Sequence, residues 1–209
     1  MNATRFGYVP ARRTALFLLL WIALAAVAGA QELDPSQSEL NEMLRVKIRS
    51  VQQMALNPVI VRAVRLQNLE NLTVDEINRR DDTWRGSDEL TPFMLSLQTS
   101  EAGRFLQQQV SRSRHFNEAF ATDNQGANVA AFPATSDYWQ GDEEKWIASF
   151  DSGKGRVFIG PLELDESTKS YAAQISAPIL HRRATIGVLV VGVTIYYLEV
   201  RQRLSEHED

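Results

Sequence analysis

The densest group of acidic side chains lies in one short segment near the middle of the chain. Asp137, Asp142, Glu143 and Glu144 fall within residues 137–144, and Lys145 follows directly. Carboxylates are the hard oxygen ligands that calcium requires, but this spacing does not match a twelve-residue calcium loop. Acidic residues are also typical of the first turn of a helix, because they oppose the positive end of the helix dipole. We therefore favour a solvated helix start over a metal site.

Aromatic side chains interleave with these charges and suggest a second kind of chemistry. The candidate ligand-binding residues in and after this segment are Asp137, Tyr138, Trp139, Lys145, Trp146 and Asp165. Aromatic walls with a few oriented charges are typical of a small-molecule pocket, and tryptophan and tyrosine rings bind cations on their faces. The alternative is that Trp139 and Trp146 pack in the core or at its rim and that Asp165 caps a turn. The residue types alone leave both interpretations open.

Signals of catalysis or of a bound cofactor are weak. The three histidines, His115, His181 and His207, are far apart, and the chain has no cysteine. A zinc or iron site would therefore depend on carboxylates alone. A nucleophile elbow, a P-loop and a dinucleotide-binding glycine motif are all missing from the sequence. We predict a protein that is not an enzyme and needs no cofactor; the competing hypothesis is a secreted hydrolase that uses the Asp137–Glu144 carboxylates.

The N-terminus resembles a cleavable export signal. Arg5, Arg12 and Arg13 precede a short apolar run, and Ala28-Gly29-Ala30 supplies the small residues of a cleavage site before Gln31. This pattern predicts a signal peptide over 1–30 and a periplasmic or secreted protein over 31–209, with an uncleaved anchor as the alternative. The net charge of −4 becomes more negative on cleavage, since the removed segment carries three arginines and no acid. An acidic exported domain is a poor candidate for binding nucleic acid.

Residues 31–115 read as mainly helical. Asp34-Pro35-Ser36-Gln37 is a helix start, and a stripe of apolar residues follows it to Ala55. Pro58 predicts a kink in this long helix. Thr73 and Ser100 are the expected caps of two further helices, whereas the polar stretch from Asp81 to Pro92 predicts a broken, irregular segment.

Residues 116–200 read as a sheet. From Phe116 to Thr122 the side-chain pattern repeats every second residue, which predicts a strand. A turn at Asn124-Gln125-Gly126 then leads to a return strand over 127–132. A short helix over 142–150 and a strand over 156–159 precede a final hairpin of 171–179 and 185–198. Gly187 and Gly192 predict close backbone approach in the last strand. Five strands with the helices gathered on one side predict an α+β fold.

The stretch from Phe120 to Val190 resembles an extracytoplasmic Cache-type, PAS-like sensor domain in the order and spacing of these elements. The resemblance implies a long N-terminal helix packed on a roughly five-stranded antiparallel sheet in a single Cache-like domain. In amino-acid-binding members of that family, a pocket tryptophan is preceded by an arginine, and a later strand carries a Tyr-x-Asp. Trp146 and Asp165 match the tryptophan and the acid, whereas Glu144 and Glu163 occupy the positions of the arginine and the tyrosine.

This resemblance implies a standalone sensor that binds a small polar organic ligand. Because we read no output module in the sequence, we expect the bound state to act through a partner, such as a membrane sensor kinase or receptor. The long N-terminal helix is a plausible surface for docking that partner or for forming a homodimer. A degenerate Cache domain that acts as a structural or interaction module is the other alternative.

Overall fold

In a computed structural model, the backbone is described over residues 35–165 and 169–196, and the side chains over 40–164 and 169–196. The predicted signal peptide, the end of the predicted last strand and the charged C-terminal tail lie outside these ranges. The described residues belong to one compact unit, Leu33–Asp209. No helix among them is long and apolar enough to cross a membrane.

The long N-terminal helix is interrupted where proline predicts a kink. Helix α1 spans Pro35–Ala55 and helix α2 spans Pro58–Glu70. Asn57 has extended backbone angles, and its side chain accepts a hydrogen bond from the Val59 amide at 2.9 Å, which starts the second helix. The predicted apolar stripe is buried, with Leu40, Met43, Leu44, Val51, Met54 and Ala55 in the core.

Three further helices follow: α3 over Val74–Arg85, α4 over Pro92–Thr99 and α5 over Glu101–Arg112. The predicted caps are confirmed, since the Thr73 and Ser100 hydroxyls accept amide hydrogen bonds at 3.2 and 2.9 Å. The prediction of an irregular segment from Asp81 onward is wrong for the first five residues of that segment, which continue α3. Asp81 and Trp84 are buried there, so the polar composition misled the prediction because tertiary contacts satisfy those side chains.

The sheet is antiparallel throughout. Its strands are β1 (Phe116–Thr122), β2 (Asn128–Phe132), β3 (Phe158–Ile159), β4 (Glu163–Asp165), β5 (Ser170–His181) and β6 (Ala184–Tyr196), and a short helix α6 (Glu144–Phe150) lies between β2 and β3. The order is β2-β1-β6-β5-β3, and β4 also pairs with β5. Strands β3 and β4 both pair with β5 and together occupy one edge position of the sheet. The prediction of an α+β fold with about five strands is confirmed.

The two faces of the sheet are covered differently. One face packs against α1, α2 and α5 in a large apolar cluster that includes Ala121, Ile179, Leu189 and Val191. The opposite face carries a small cluster of Phe120, Ala131, Val188 and Val190, covered by Trp146 and Phe150 of α6. We call these the helix-covered face and the α6 face. This alternation follows from the two-residue period of a strand.

Glycine in β6 permits close packing of neighbouring chain segments. A Cβ atom at Gly187 would lie 2.0 Å from the Thr122 carbonyl oxygen, and one at Gly192 would lie 2.1 Å from the Asn117 side chain. Both distances are far below a van der Waals contact. The prediction of close backbone approach is confirmed at Gly187 and wrong at Gly192, where side chains of β1 are the near neighbours.

Candidate functional site

The loop that leads into α6 is anchored by a buried carboxylate of α3. Oδ1 of Asp81 accepts hydrogen bonds from the backbone amides of Tyr138 and Trp139, both at 2.9 Å. The Trp139 indole N–H donates to the Gln125 carbonyl oxygen at 2.7 Å, and a bridge pairs Ala127 with Trp139. These contacts determine where the chain leaves the helical layer and enters α6.

Tyr138 lies on the helical side of this loop, away from the α6 cluster. Its side chain is fully buried, and its ring centroid is 5.9 Å from that of Trp84 and 5.3 Å from that of Phe93. Burial raises the pKa of the Tyr138 hydroxyl to about 12, with Arg80 opposing the rise. Tyr138 therefore occupies a core position in this structure.

Asp137 is half-buried and holds its own loop together. Its carbonyl oxygen accepts hydrogen bonds from Thr135 Oγ1 at 2.7 Å and from the amide groups of Asn128 and Gln140, both at 3.1 Å. Its carboxylate accepts a bond from Ser136 Oγ at 3.0 Å and another from Gln140 Nε2. These contacts are local, so they explain the loop conformation without a ligand.

Lys145 and Trp146, in contrast, lie on α6 above the sheet. The Trp146 ring stacks on Phe150 with centroids 4.7 Å apart and an interplanar angle of 12°. Lys145 Nζ lies 5.5 Å from the centroid of the Phe120 ring and 4.0 Å from Glu143. The Trp146 indole N–H is buried and has no acceptor among the described residues. These two predicted residues are thus brought together, and they share the α6 face.

A groove of about 660 Å³ runs along α6 and uses the same tryptophan as a wall. Trp146 and Phe150 supply its aromatic surface, and Asp142, Glu144, Asp151 and Arg156 supply charges. Arg156 Nε donates to the Ala148 carbonyl oxygen at 2.9 Å and lies 4.0 Å from an Asp151 oxygen, which fixes the guanidinium at the rim. Three carboxylates against one guanidinium give this groove an excess of negative charge.

A smaller groove of about 260 Å³ lies further along the same side of the sheet. Glu118, Gly192 and Gln174 are register partners across β1, β6 and β5 and share this face. Gln174 Nε2 donates to Glu118 Oε1 at 2.8 Å. On the next row Ser176 is fully buried, and its hydroxyl has no partner among the described residues. Polar side chains therefore extend the α6 face beyond its apolar cluster.

Asp165 ends β4 and pairs in register with Ser170 of β5. Its side chain lies outside the described residues, so its prediction as a ligand residue stays a prediction. Four residues of these grooves were not predicted as site residues from the sequence: Phe150, Arg156, Glu118 and Gln174. A detectable signal existed for the last two, because a charged residue and an amide interrupt otherwise apolar strands.

The two grooves of the α6 face present carboxylates, aromatic rings and one guanidinium. The residues lining its two grooves contain no histidine. Within the described ranges, no three histidine or acidic side chains are grouped so that they could hold a metal ion. What the larger groove offers is stacking on aromatic rings, charge pairing with carboxylates and one fixed guanidinium.

Comparisons with known proteins give similarity at the level of solved structures. No protein-family model and no curated protein matches the chain. The solved structures include the extracellular domain of a protein described as the histidine kinase vpHK1S-Z8 (TM-score 0.41, 13% identity, 78% of this chain and 55% of that one). They also include the ligand-binding domain of the Pseudomonas aeruginosa PAO1 amino-acid chemoreceptor PctC in complex with GABA (0.36, 16%, 78% and 62%) and the V. cholerae histidine kinase DctB sensor domain (0.34, 15%, 81% and 60%).

The chain spans about three fifths of the length of these structures or less. One is the extracellular domain and one the sensor domain of a histidine kinase, and the third is the ligand-binding domain of a chemoreceptor. At these TM-scores and identities they assign no ligand, partner or activity to this chain. The similarity extends over 78–81% of this chain.

Proposed function

We propose that this chain is an extracytoplasmic sensor domain that binds a small polar organic ligand carrying a cationic group. The observation that carries the proposal is the groove along α6, with a stacked Trp146–Phe150 wall and a rim of three carboxylates. Its volume of about 660 Å³ lies within the range of roughly 300–1,000 Å³ found for small-molecule sites. The ligand binds in a groove that the fold itself forms.

The charges of the groove define the ligand class. An ammonium group pairs with Asp142, Glu144 or Asp151, and the apolar part of the ligand lies against the rings of Trp146 and Phe150. Arg156 at the rim accommodates a ligand carboxylate, so a zwitterion fits as well as a simple amine. Lys145 and Asp165 remain candidate contacts from the sheet side. Asp137, Tyr138 and Trp139 position the loop before α6 in this proposal.

The bound state is read by a separate protein in this proposal. A membrane sensor kinase or receptor would contact the sensor, with the outer surface of α1 as the proposed docking or dimer surface. Capture from a periplasmic extract should recover such a partner. N-terminal sequencing of the exported protein should begin at Gln31; an intact Met1 in the membrane fraction would instead indicate an anchored sensor.

A thermal-shift screen of amino acids, amines, short carboxylates and purines tests the ligand proposal. Ligand at a hundredfold excess over its dissociation constant adds about 2.7 kcal/mol to the free energy of unfolding, which is a large shift. The shift should be lost in Trp146→Ala and strongly reduced in Glu144→Gln. Asp165→Ala tests the remaining sequence-predicted contact. Asp88→Asn removes a carboxylate from an exposed loop and is the matched control.

The screen has two outcomes that count against the site. A ligand whose shift survives both Trp146→Ala and Glu144→Gln binds elsewhere on the molecule. If no compound in these classes shifts the unfolding temperature, the interaction-module hypothesis replaces the sensor. Turnover of a compound by the purified protein would instead support the hydrolase hypothesis.

A further inference from the structure

A second groove lies between α3 and α4, and its charge is opposite to that of the groove along α6. It has a volume of about 370 Å³, and its walls include Arg79, Arg80, Thr83, Trp84, Thr91 and Phe93. Both arginines pair with Glu76, Arg80 through Nε at 2.7 Å. No other acidic partner of either arginine occurs within residues 40–164 and 169–196. Two guanidiniums share one carboxylate, which leaves one positive charge in excess.

Arg80 is the better placed of the two arginines for recognition. Only 29% of its side chain is exposed, compared with 72% for Arg79, so its charge is less screened by water. Its guanidinium lies 5.4 Å from the centroid of the Phe93 ring, which holds the group over an aromatic face. Since Glu76 engages Nε, a terminal nitrogen of Arg80 is the group that a ligand would meet. A planar fork of this kind suits a carboxylate.

Aromatic surface lies next to this charge. The Phe93 ring is more than one-third exposed, and it meets Trp84 edge to face with centroids 6.0 Å apart. Tyr138 lies behind these rings, and Arg80 is close enough to its buried hydroxyl to oppose the rise in the pKa of that group. The exposed ring and the neighbouring guanidinium favour a ligand with an anionic oxygen and a flat apolar body.

We propose that the α3–α4 groove is a second binding site, for a small aromatic or apolar monocarboxylate held by Arg80 and packed on Phe93. The site is separate from the groove along α6, because its lining residues come from α3, from α4 and from the residue that caps α4. It selects anions. The hydroxyls of Thr83 and Thr91 already bond to backbone groups, so they shape the groove.

Calorimetric titration with benzoate, at constant ionic strength, tests the proposal on the purified protein. We expect saturable binding at one site, and binding of benzyl alcohol, which has the same ring without the charge, at least tenfold weaker. Arg80→Gln should weaken benzoate about tenfold to a hundredfold, the effect of losing a charge-assisted hydrogen bond. Phe93→Ala should weaken it several-fold. Arg104→Gln, at an exposed position of α5 outside the groove, should change it less than twofold.

Two further measurements separate this site from the groove along α6. Trp146→Ala should leave benzoate binding unchanged, and benzoate should shift the NMR signal of the Trp84 indole N–H in the unmodified protein. The second measurement does not depend on the folding of any groove variant. Equal binding of benzoate and benzyl alcohol, unchanged binding in Arg80→Gln, or an unmoved Trp84 signal would each overturn the proposal.

Discussion

The two faces of the sheet are built from the same strands and differ in what covers them. The helix-covered face is closed by three long helices and is apolar throughout its large core cluster. The α6 face is covered by a helix of seven residues, and the buried Ser176 hydroxyl and Trp146 indole N–H have no hydrogen-bond partner within the part of the chain that the structure describes. The first face therefore provides stability, and the second has the surface and polar groups on which the proposed ligand site depends.

The largest expected effect contrasts one apolar side chain on each face. Leu189→Ala removes a fully buried side chain from the helix-covered face and should lower the free energy of unfolding by about 2–5 kcal/mol. Trp146→Ala should cost less, about 1–2 kcal/mol, because its ring is half-buried and its N–H is unpaired. Urea unfolding of the two variants measures both values. An equal or larger loss in Trp146→Ala would show that α6 is part of the main core.

A buried carboxylate connects the helical layer to the α6 face. Asp81→Ala leaves the Tyr138 and Trp139 amides without their acceptor, and we expect a loss of about 2–4 kcal/mol, since each unsatisfied buried group costs about 1–3 kcal/mol. Asp81→Asn keeps an acceptor oxygen and should cost less. Chemical denaturation of the two variants measures both losses of unfolding free energy. Similar losses in Asp81→Ala and Asp81→Asn would mean that the negative charge of the side chain matters more than its acceptor oxygen.

Glycine substitutions compare the closeness of packing on the two faces. Gly187→Ala would place a Cβ atom 2.0 Å from the Thr122 carbonyl oxygen, so the strands must shift, at a cost of about 1–3 kcal/mol. The control is Gly160→Ala, whose Cβ atom would meet its nearest neighbour at 3.5 Å and should change stability by less than about 0.5 kcal/mol. Thermal unfolding of both variants decides the matter. A neutral Gly187→Ala would contradict the close approach of β6 and β1.

The smallest expected effect is a pH dependence at the β1–β2 turn. Burial raises the pKa of Asp123 above its ordinary value of 3.8, although Gln67 and two backbone amides favour its charged form. A raised folded-state pKa means that the contribution to stability is full below the unfolded pKa and is lost as pH rises through the folded pKa. The stability of the wild type should therefore fall relative to Asp123→Asn as pH rises from 4 to 7. If the stability of the wild type instead rises relative to that of the variant over this range, the hydrogen bonds to Asp123 outweigh the effect of its burial.

Much of the fold was predictable from the sequence because its signals are local. The caps at Thr73 and Ser100, the interruption at Pro58 and the turn after Thr122 depend on neighbours within four residues, and all occur as predicted. The continuation of α3 through Asp81 was not predictable in this way. One partner of that carboxylate, Arg85, is four residues away on the same helix. The two amides that bury it are 57 and 58 residues away in the chain, and a sequence window contains no information on them.

The sequence by itself determined the element types, the α+β class and the chemical character of the candidate site residues, because these depend on periodicity, capping and side-chain chemistry. Only the tertiary structure decided how those residues are grouped. It placed Trp146 and Lys145 over the sheet and Tyr138 in the core beside Trp84, although the three lie within nine positions of one another. The physical reason is that Asp81 fixes the loop between them, so neighbours in the chain face opposite layers.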